Sequence, residues 1–327
     1  LHNVAHSFPT RRSSDLAGSW LQTTDGREIL DLASGQLCAL LGHGHPRIVE
    51  VARKQAGLAV NLGNRFFSGP ALEACQEIAS ICPEGLTKVA LCSTGSEAVE
   101  QAIRIARAAT GRHELCGVRR GYHGATHQTL SLSDFAGSLK GLGVRSPGIH
   151  RLPCPDCPRC PLGLKRGTCG VRCVVVGDQE LATDSTDLAA VLVEPILGSG
   201  GIVVPPPEFF RAVRELCDRR GALLIADEAQ TALGRTGRWL AMEHSGVTPD
   251  IVVLSKGLGA GFPVAAVVTR ADIEERCLRA PMANMSSHSF DPFGAAIAVE
   301  VIRTVRDEGL LARAEESGRH LREGLCA

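Results

Sequence analysis

The chain has no excess of charge of either sign: thirty-five lysines and arginines offset thirty-five aspartates and glutamates over 327 residues. Such a balance exerts no broad electrostatic pull, which argues against nucleic acid or an anionic membrane as a partner. Long apolar runs are also missing. Stretches such as Ala189–Val193 and Val264–Val268 are far too short to cross a bilayer. No continuous apolar segment follows a basic start, so no secretory signal is visible and a cytoplasmic location is expected. In that compartment thiols stay reduced, and the thirteen cysteines need not pair. Core material is not lacking: 44% of the residues are hydrophobic, which speaks against disorder.

The length allows one large domain or two ordinary ones. His6 to Leu16 reproduces one reading frame of a widely used sequencing adapter, so residues 1–16 are set aside as an assembly artefact. Beyond Leu16, short apolar runs alternate with amphipathic helices. Lys88–Cys92 reads as a strand and Ser96–Thr110 as a helix, with Val99, Ile103 and Ala106 on one face and Gly111 as its stop. Ala190–Val193, Ala222–Ala226, Ile251–Leu254 and Pro263–Thr269 are further strands. Pro206–Arg220 is a helix closed by Gly221. Near-continuous apolar strands separated by helices predict an α/β fold with a parallel sheet covered on both faces. Residues 143–187, rich in Pro, Gly, Arg and Cys, read as a long surface loop or insertion. Gly294–Val305 and Leu310–Leu325 read as two closing helices, and the chain stops in mid-pattern.

In such sheets ligands sit beyond the carboxyl ends of the strands. Three features fall there. Ser93-Thr94-Gly95-Ser96 joins a strand to a helix, and free amides at that terminus would hold a phosphate or simply be capped. Asp227 follows a buried strand, where a carboxylate needs a cationic or hydrogen-bonding partner unless it caps the next helix. Lys256 lies between a strand and the glycine-rich Gly257–Gly261, a place for a nucleophilic lysine as well as for a solvated one. Neither a Walker loop nor a Gly-x-Gly-x-x-Gly fingerprint is present.

Taken together these features, with Val193-Glu194-Pro195, Asp227-Glu228-Ala229-Gln230-Thr231, Gly234-Arg235-Thr236-Gly237, Pro249-Asp250-Ile251 and Ser255-Lys256, resemble the class III aminotransferases, pyridoxal-phosphate enzymes of fold type I. The resemblance runs from about Ala17 to Ala327. It implies a segment of a small domain over 17–60, a large cofactor-binding domain over 61–290 that contains the 143–187 insertion, and the start of a truncated C-terminal segment over 291–327. It also implies the site. Lys256 would form the aldimine with pyridoxal phosphate and then act as general base. Asp227 would pair with the pyridine nitrogen and Gln230 with the phenolic oxygen. Gly95 and Ser96 would hold the phosphate, Tyr122 would stack on the ring with His123 beside it, and Glu194 would lie near the substrate carboxylate. Ser287 would reach the phosphate across the interface of a homodimer. The implied reaction moves an amino group from an amino acid or amine donor to a 2-oxo acid.

Within that family, Ser34-Gly35-Gln36, Gly42–Pro46, Glu194–Gly201 and His288-Ser289-Phe290-Asp291-Pro292 look like 2,2-dialkylglycine decarboxylase. There a glutamine at the position of Gln36 orients the substrate carboxylate for loss of carbon dioxide, and a tryptophan stands at the position of Tyr122. The family's substrate-binding arginine lies in a C-terminal region beyond this chain. A competing signal is the run Cys154, Cys157, Cys160, Cys169 and Cys173, whose spacing suits tetrahedral zinc, although packed reduced thiols or redox chemistry would also explain it. The rival to an enzyme is therefore a zinc-stabilised binding module on a degenerate scaffold. His43 and His45 form a His-x-His pair, read as a loop feature.

Overall fold

A computed structural model describes residues 13–23, 25–63, 66–134, 143–185, 187–280 and 286–327, without the side chains of 13–17. The chain opens with a small antiparallel sheet of β1 (Ser13–Ala17), β2 (Trp20–Thr23) and β3 (Glu28–Leu30). The first four residues of β1 lie within the segment set aside above. After a turn at Ser34–Leu37 come α1 (Pro46–Ala56) and α2 (Gly69–Ser80).

The main unit then alternates: β4 (Leu86–Cys92), α3 (Gly95–Thr110), β5 (Glu114–Val118), α4 (His127–Leu132), β6 (Ile149–Leu152), α5 (Arg172–Asp184), β7 (Leu188–Val193), α6 (Pro207–Arg220), β8 (Leu223–Asp227), β9 (Ile251–Leu254), β10 (Ala265–Arg270) and α7 (Ala271–Leu278). Two helices close the chain, α8 (Pro292–Asp307) and α9 (Leu310–Cys326). Among the described residues no helix is long and apolar enough to cross a membrane.

Seven strands form one sheet in the order β4-β10-β9-β8-β7-β5-β6. Every residue of β7, β8 and β9 is buried, as expected of central strands covered on both faces. Successive side chains alternate between the two covers. On one face α3 and α7 set Val99, Ile103 and Ile273 against Leu115, Ile225 and Val253. On the other, α6 sets Phe209, Val213 and Leu216 against Val191, Leu224 and Ala226. Beside it α2 and α8 set Ile78, Ala298 and Ile302 against Leu91 and Val252.

The fold is α/β, with two departures from the sequence-based picture. β10 runs antiparallel to both β9 and β4. The connection from Ser255 to Val264 is too short for a parallel crossover, which takes about a dozen residues or more. Residues 143–187 are not one loop either. β6 pairs with β5 in the main sheet and α5 packs behind it, leaving 143–148 and 153–171 irregular apart from one short 3-10 turn at Cys157–Arg159. Both elements lacked a clear signal: β6 buries only Leu152, and α5 opens on the β-branched run Val174-Val175-Val176 followed by Gly177.

Candidate active site

The carboxyl ends of β4, β5, β7, β8 and β9 point to one edge of the sheet, and each delivers part of a site there. After β4, the Thr94 hydroxyl accepts from the Glu97 amide at 3.2 Å and starts α3. The Gly95 and Ser96 amides meet no acceptor among the described residues, so two N–H groups at a positive helix end face the opening.

After β5 the chain turns through Arg120 and Gly121 to Tyr122 and His123. Gly124 at φ 132° lies so close to Ser96 Oγ and Thr129 Oγ1 that a Cβ would stand 2.5 and 2.8 Å from them. The glycine therefore lets the tyrosine turn close onto the amide turn, and Ser96 Oγ accepts from the Ala125 amide at 3.0 Å.

Glu194 follows β7 directly. Its carboxylate accepts from the Tyr122 amide at 2.7 Å and the Gly198 amide at 3.3 Å. Burial pushes its pKa up to about 7; His123 opposes the shift and Asp227 adds to it. Asp227 ends β8. His123 Nδ1 lies 3.0 Å from its Oδ2, with both side chains buried, and Oδ1 accepts from the Ala229 amide at 3.2 Å. His123 Nε2 is buried with no partner among the described residues. Glu228, one residue on, points away from the cavity. It takes hydrogen bonds from the Thr231 hydroxyl and the Met242 amide, and burial raises it to about 7.

Lys256 lies two residues past β9 with its backbone at φ 34°, half-buried and without an ion pair among the described residues. Gln230 sits over Gly198, where any Cβ would overlap its amide oxygen.

One cavity of about 210 Å³ collects these groups. Gly95, Ser96, Tyr122, His123, Glu194, Asp227, Gln230 and Lys256 all line it. Two expected residues stay outside. Gln36 is exposed in the left-handed Ser34–Leu37 turn. Ser287 is exposed too; its carbonyl accepts from Asn61 Nδ2 at 2.7 Å. Its neighbour Ser286 donates to Glu97 Oε1 at 2.7 Å, which ties that segment to the start of α3.

Sequence reasoning missed Gly198 as the seat of Gln230, and it missed the pairing of His123 with Asp227. No local signal marks a contact between residues 104 positions apart. Elsewhere His43 pairs with Asp31 at 2.8 Å, in keeping with a loop role.

The family model for class-III aminotransferases matches residues 4–327. An uncharacterized aminotransferase of Schizosaccharomyces pombe is 38% identical over 299 residues, covering 91% of this chain and 66% of its own length. The leucine/methionine racemase of Thermococcus litoralis is 35% identical over 297 residues, covering 89% of this chain and 66% of its own. The taurine:2-oxoglutarate aminotransferase of Bifidobacterium kashiwanohense, solved in complex with pyridoxal phosphate and glutamate, superposes with a TM-score of 0.90 at 25% identity. That match covers 97% of this chain and 72% of that one. The chain thus spans about two thirds of the length of the curated relatives it matches. On sequence and fold together, it belongs to the class III aminotransferase family.

Proposed function

We propose that this chain carries the cofactor site of a pyridoxal-phosphate-dependent aminotransferase, which moves an amino group from an amino acid or amine to a 2-oxo acid. The observation that carries the reading is one cavity holding a lysine without a counter-ion and a pair of free helix-terminal amides, both among the described residues, beside a carboxylate backed by a buried histidine. That donor set fits the group part by part. The Gly95 and Ser96 amides suit a phosphate. Asp227 suits a pyridinium nitrogen, and the amide of Gln230 suits a phenolic oxygen.

When bound, the cofactor supplies a carbon that takes up the amino group and a ring that draws electrons from the substrate Cα. The protein's own part is positional and acid–base. Asp227 holds a proton at the ring nitrogen, and His123, donating from Nδ1, keeps that carboxylate in place. Tyr122 covers one side of the cavity. Lys256 Nζ carries the proton away from and back to the reacting carbon.

Gln36, on which decarboxylation would depend, is exposed outside the cavity, which favours proton transfer over loss of carbon dioxide. The intact set of Lys256, Asp227 and Gln230 likewise favours an enzyme over a binding module. Ser287 is exposed and its neighbour Ser286 is tied to the start of α3, which supports a role for Ser287 at the phosphate site of a second copy in a homodimer.

Titration of the chain with pyridoxal phosphate, followed by visible absorbance, tests the reading. The parent should develop a saturable band that Lys256→Ala lacks. An identical band in both proteins would remove Lys256 from its role. Assays for keto acid, carbon dioxide and inverted amino acid on the loaded chain then separate transamination from decarboxylation and racemisation.

A further inference from the structure

The segment after β6 takes no part in this chemistry, and its burial is unusual. From Cys160 to Val171 there is neither helix nor strand, and between Cys160 and Gly170 only Cys160, Leu162 and Cys169 are shielded from solvent. So little buried apolar surface does not offset the entropy lost in ordering the backbone. Something other than a hydrophobic core must hold it. The residues it does shield are mainly its thiols.

Those thiols converge. Cys157, Cys160, Cys169 and Cys173 line one small cavity of about 30 Å³, together with Cys154. That is room for a single ion or water and excludes an organic ligand. Local turns position the cysteines that line it. Asp156 accepts from the Arg159 amide at 3.3 Å and shapes the turn that bears Cys157. The Gly163 amide donates to the Cys160 carbonyl at 3.0 Å, folding the chain back after Cys160. The Arg172 amide donates to the Cys169 carbonyl at 3.1 Å, and left-handed Val171 then sends the chain into α5, which carries Cys173 in its first turn. Two outer tethers fix the frame: Asp156 with Arg120 at 2.7 Å and Arg166 with Glu208 at 2.9 Å.

The donors are sulfurs, four in number, spaced Cys-x2-Cys and Cys-x3-Cys. That pattern selects a soft tetrahedral ion over calcium or magnesium. Four thiolates around a divalent ion leave two negative charges; Arg172 lines the same cavity, as does Arg166, whose charge is shared with Glu208. Cys154 is the one of the five that is fully buried, within a core cluster against which Cys173 only packs.

We propose that Cys157, Cys160, Cys169 and Cys173 bind one zinc ion, which pins this segment beside the Arg120–Tyr122 turn of the cofactor cavity. Among the described residues no three side chains stand in metal-binding geometry, so binding requires these thiols to move closer together. The thiols surround the cavity, and binding draws them together with release of their protons.

The reduced, metal-free chain titrated with cobalt(II) tests this directly, because tetrahedral cobalt thiolates absorb strongly in the visible and near ultraviolet. The bands should saturate at about one cobalt per chain and vanish on adding zinc. They should be absent from the Cys160→Ser/Cys169→Ser double variant and intact in Cys326→Ser. A folded parent without bands, or a double variant that keeps them, would overturn the proposal. Should the double variant not fold, alkylation of the unaltered chain decides. Zinc should slow modification of the four cysteines by roughly tenfold or more and leave Cys38 and Cys326 unaffected. Equal rates with and without zinc refute the site.

Discussion

Two adjacent carboxylates at the end of β8 do different work because they face different surroundings. Asp227 turns into the cavity onto His123, whereas Glu228 turns into the core, where burial holds its carboxyl near 7. Glu194 is raised to about 7 by the same cause. A carboxyl whose folded pKa lies above its unfolded one binds a proton on folding, so its contribution favours the fold below the unfolded value and is lost as pH rises through the folded one. Stability should therefore fall between about pH 4.5 and 7 and level off above. Glu228→Gln removes one of the two groups, and melting temperatures across that window should show the slope reduced by roughly half. An unchanged slope would mean that Glu228 is ionised in the folded chain. Neither the direction of these side chains nor the partner of His123 could be read from sequence, since both depend on residues far away in the chain.

Elements were legible where one physical rule acted alone. Thr94 and Gly111 bracket α3 by their capping chemistry, and the all-apolar β7 and β8 declare burial on both faces. β6 did not declare itself, because an edge strand with one buried residue has no pattern to show. The turn after β7 teaches the same lesson at a finer grain. Gly198 bears no catalytic group, yet it provides the space in which Gln230 lies. Gly198→Ala should crowd Gln230 by about 1–3 kcal/mol, read as roughly tenfold weaker cofactor binding in a spectroscopic titration. If the affinity were unchanged, Gln230 would not depend on that seat.

Among the described residues, large apolar side chains are exposed at several places, and one short stretch gathers five of them: Leu58, Val60, Leu62, Phe66 and Phe67, the last 92% accessible. Surface of that kind marks a contact with another molecule, and Asn61 in its midst holds the Ser287 segment. In the proposed dimer Phe67→Asp should shift the mass measured by light scattering toward the monomer and weaken cofactor binding with it. A parent already monomeric would remove Ser287 from the phosphate site.

At this scale the two kinds of information part. Sequence by itself determined the α/β class, because strand burial and helix caps are written in local residue order, and its resemblance to a known family named the family and most of the groups that line the cavity. Only the tertiary structure decided the direction of β10, the pairing of His123 with Asp227, the exposure of Gln36 and the lining of one small cavity by five cysteines. Each of these depends on where distant segments meet in space, and local periodicity carries no record of that.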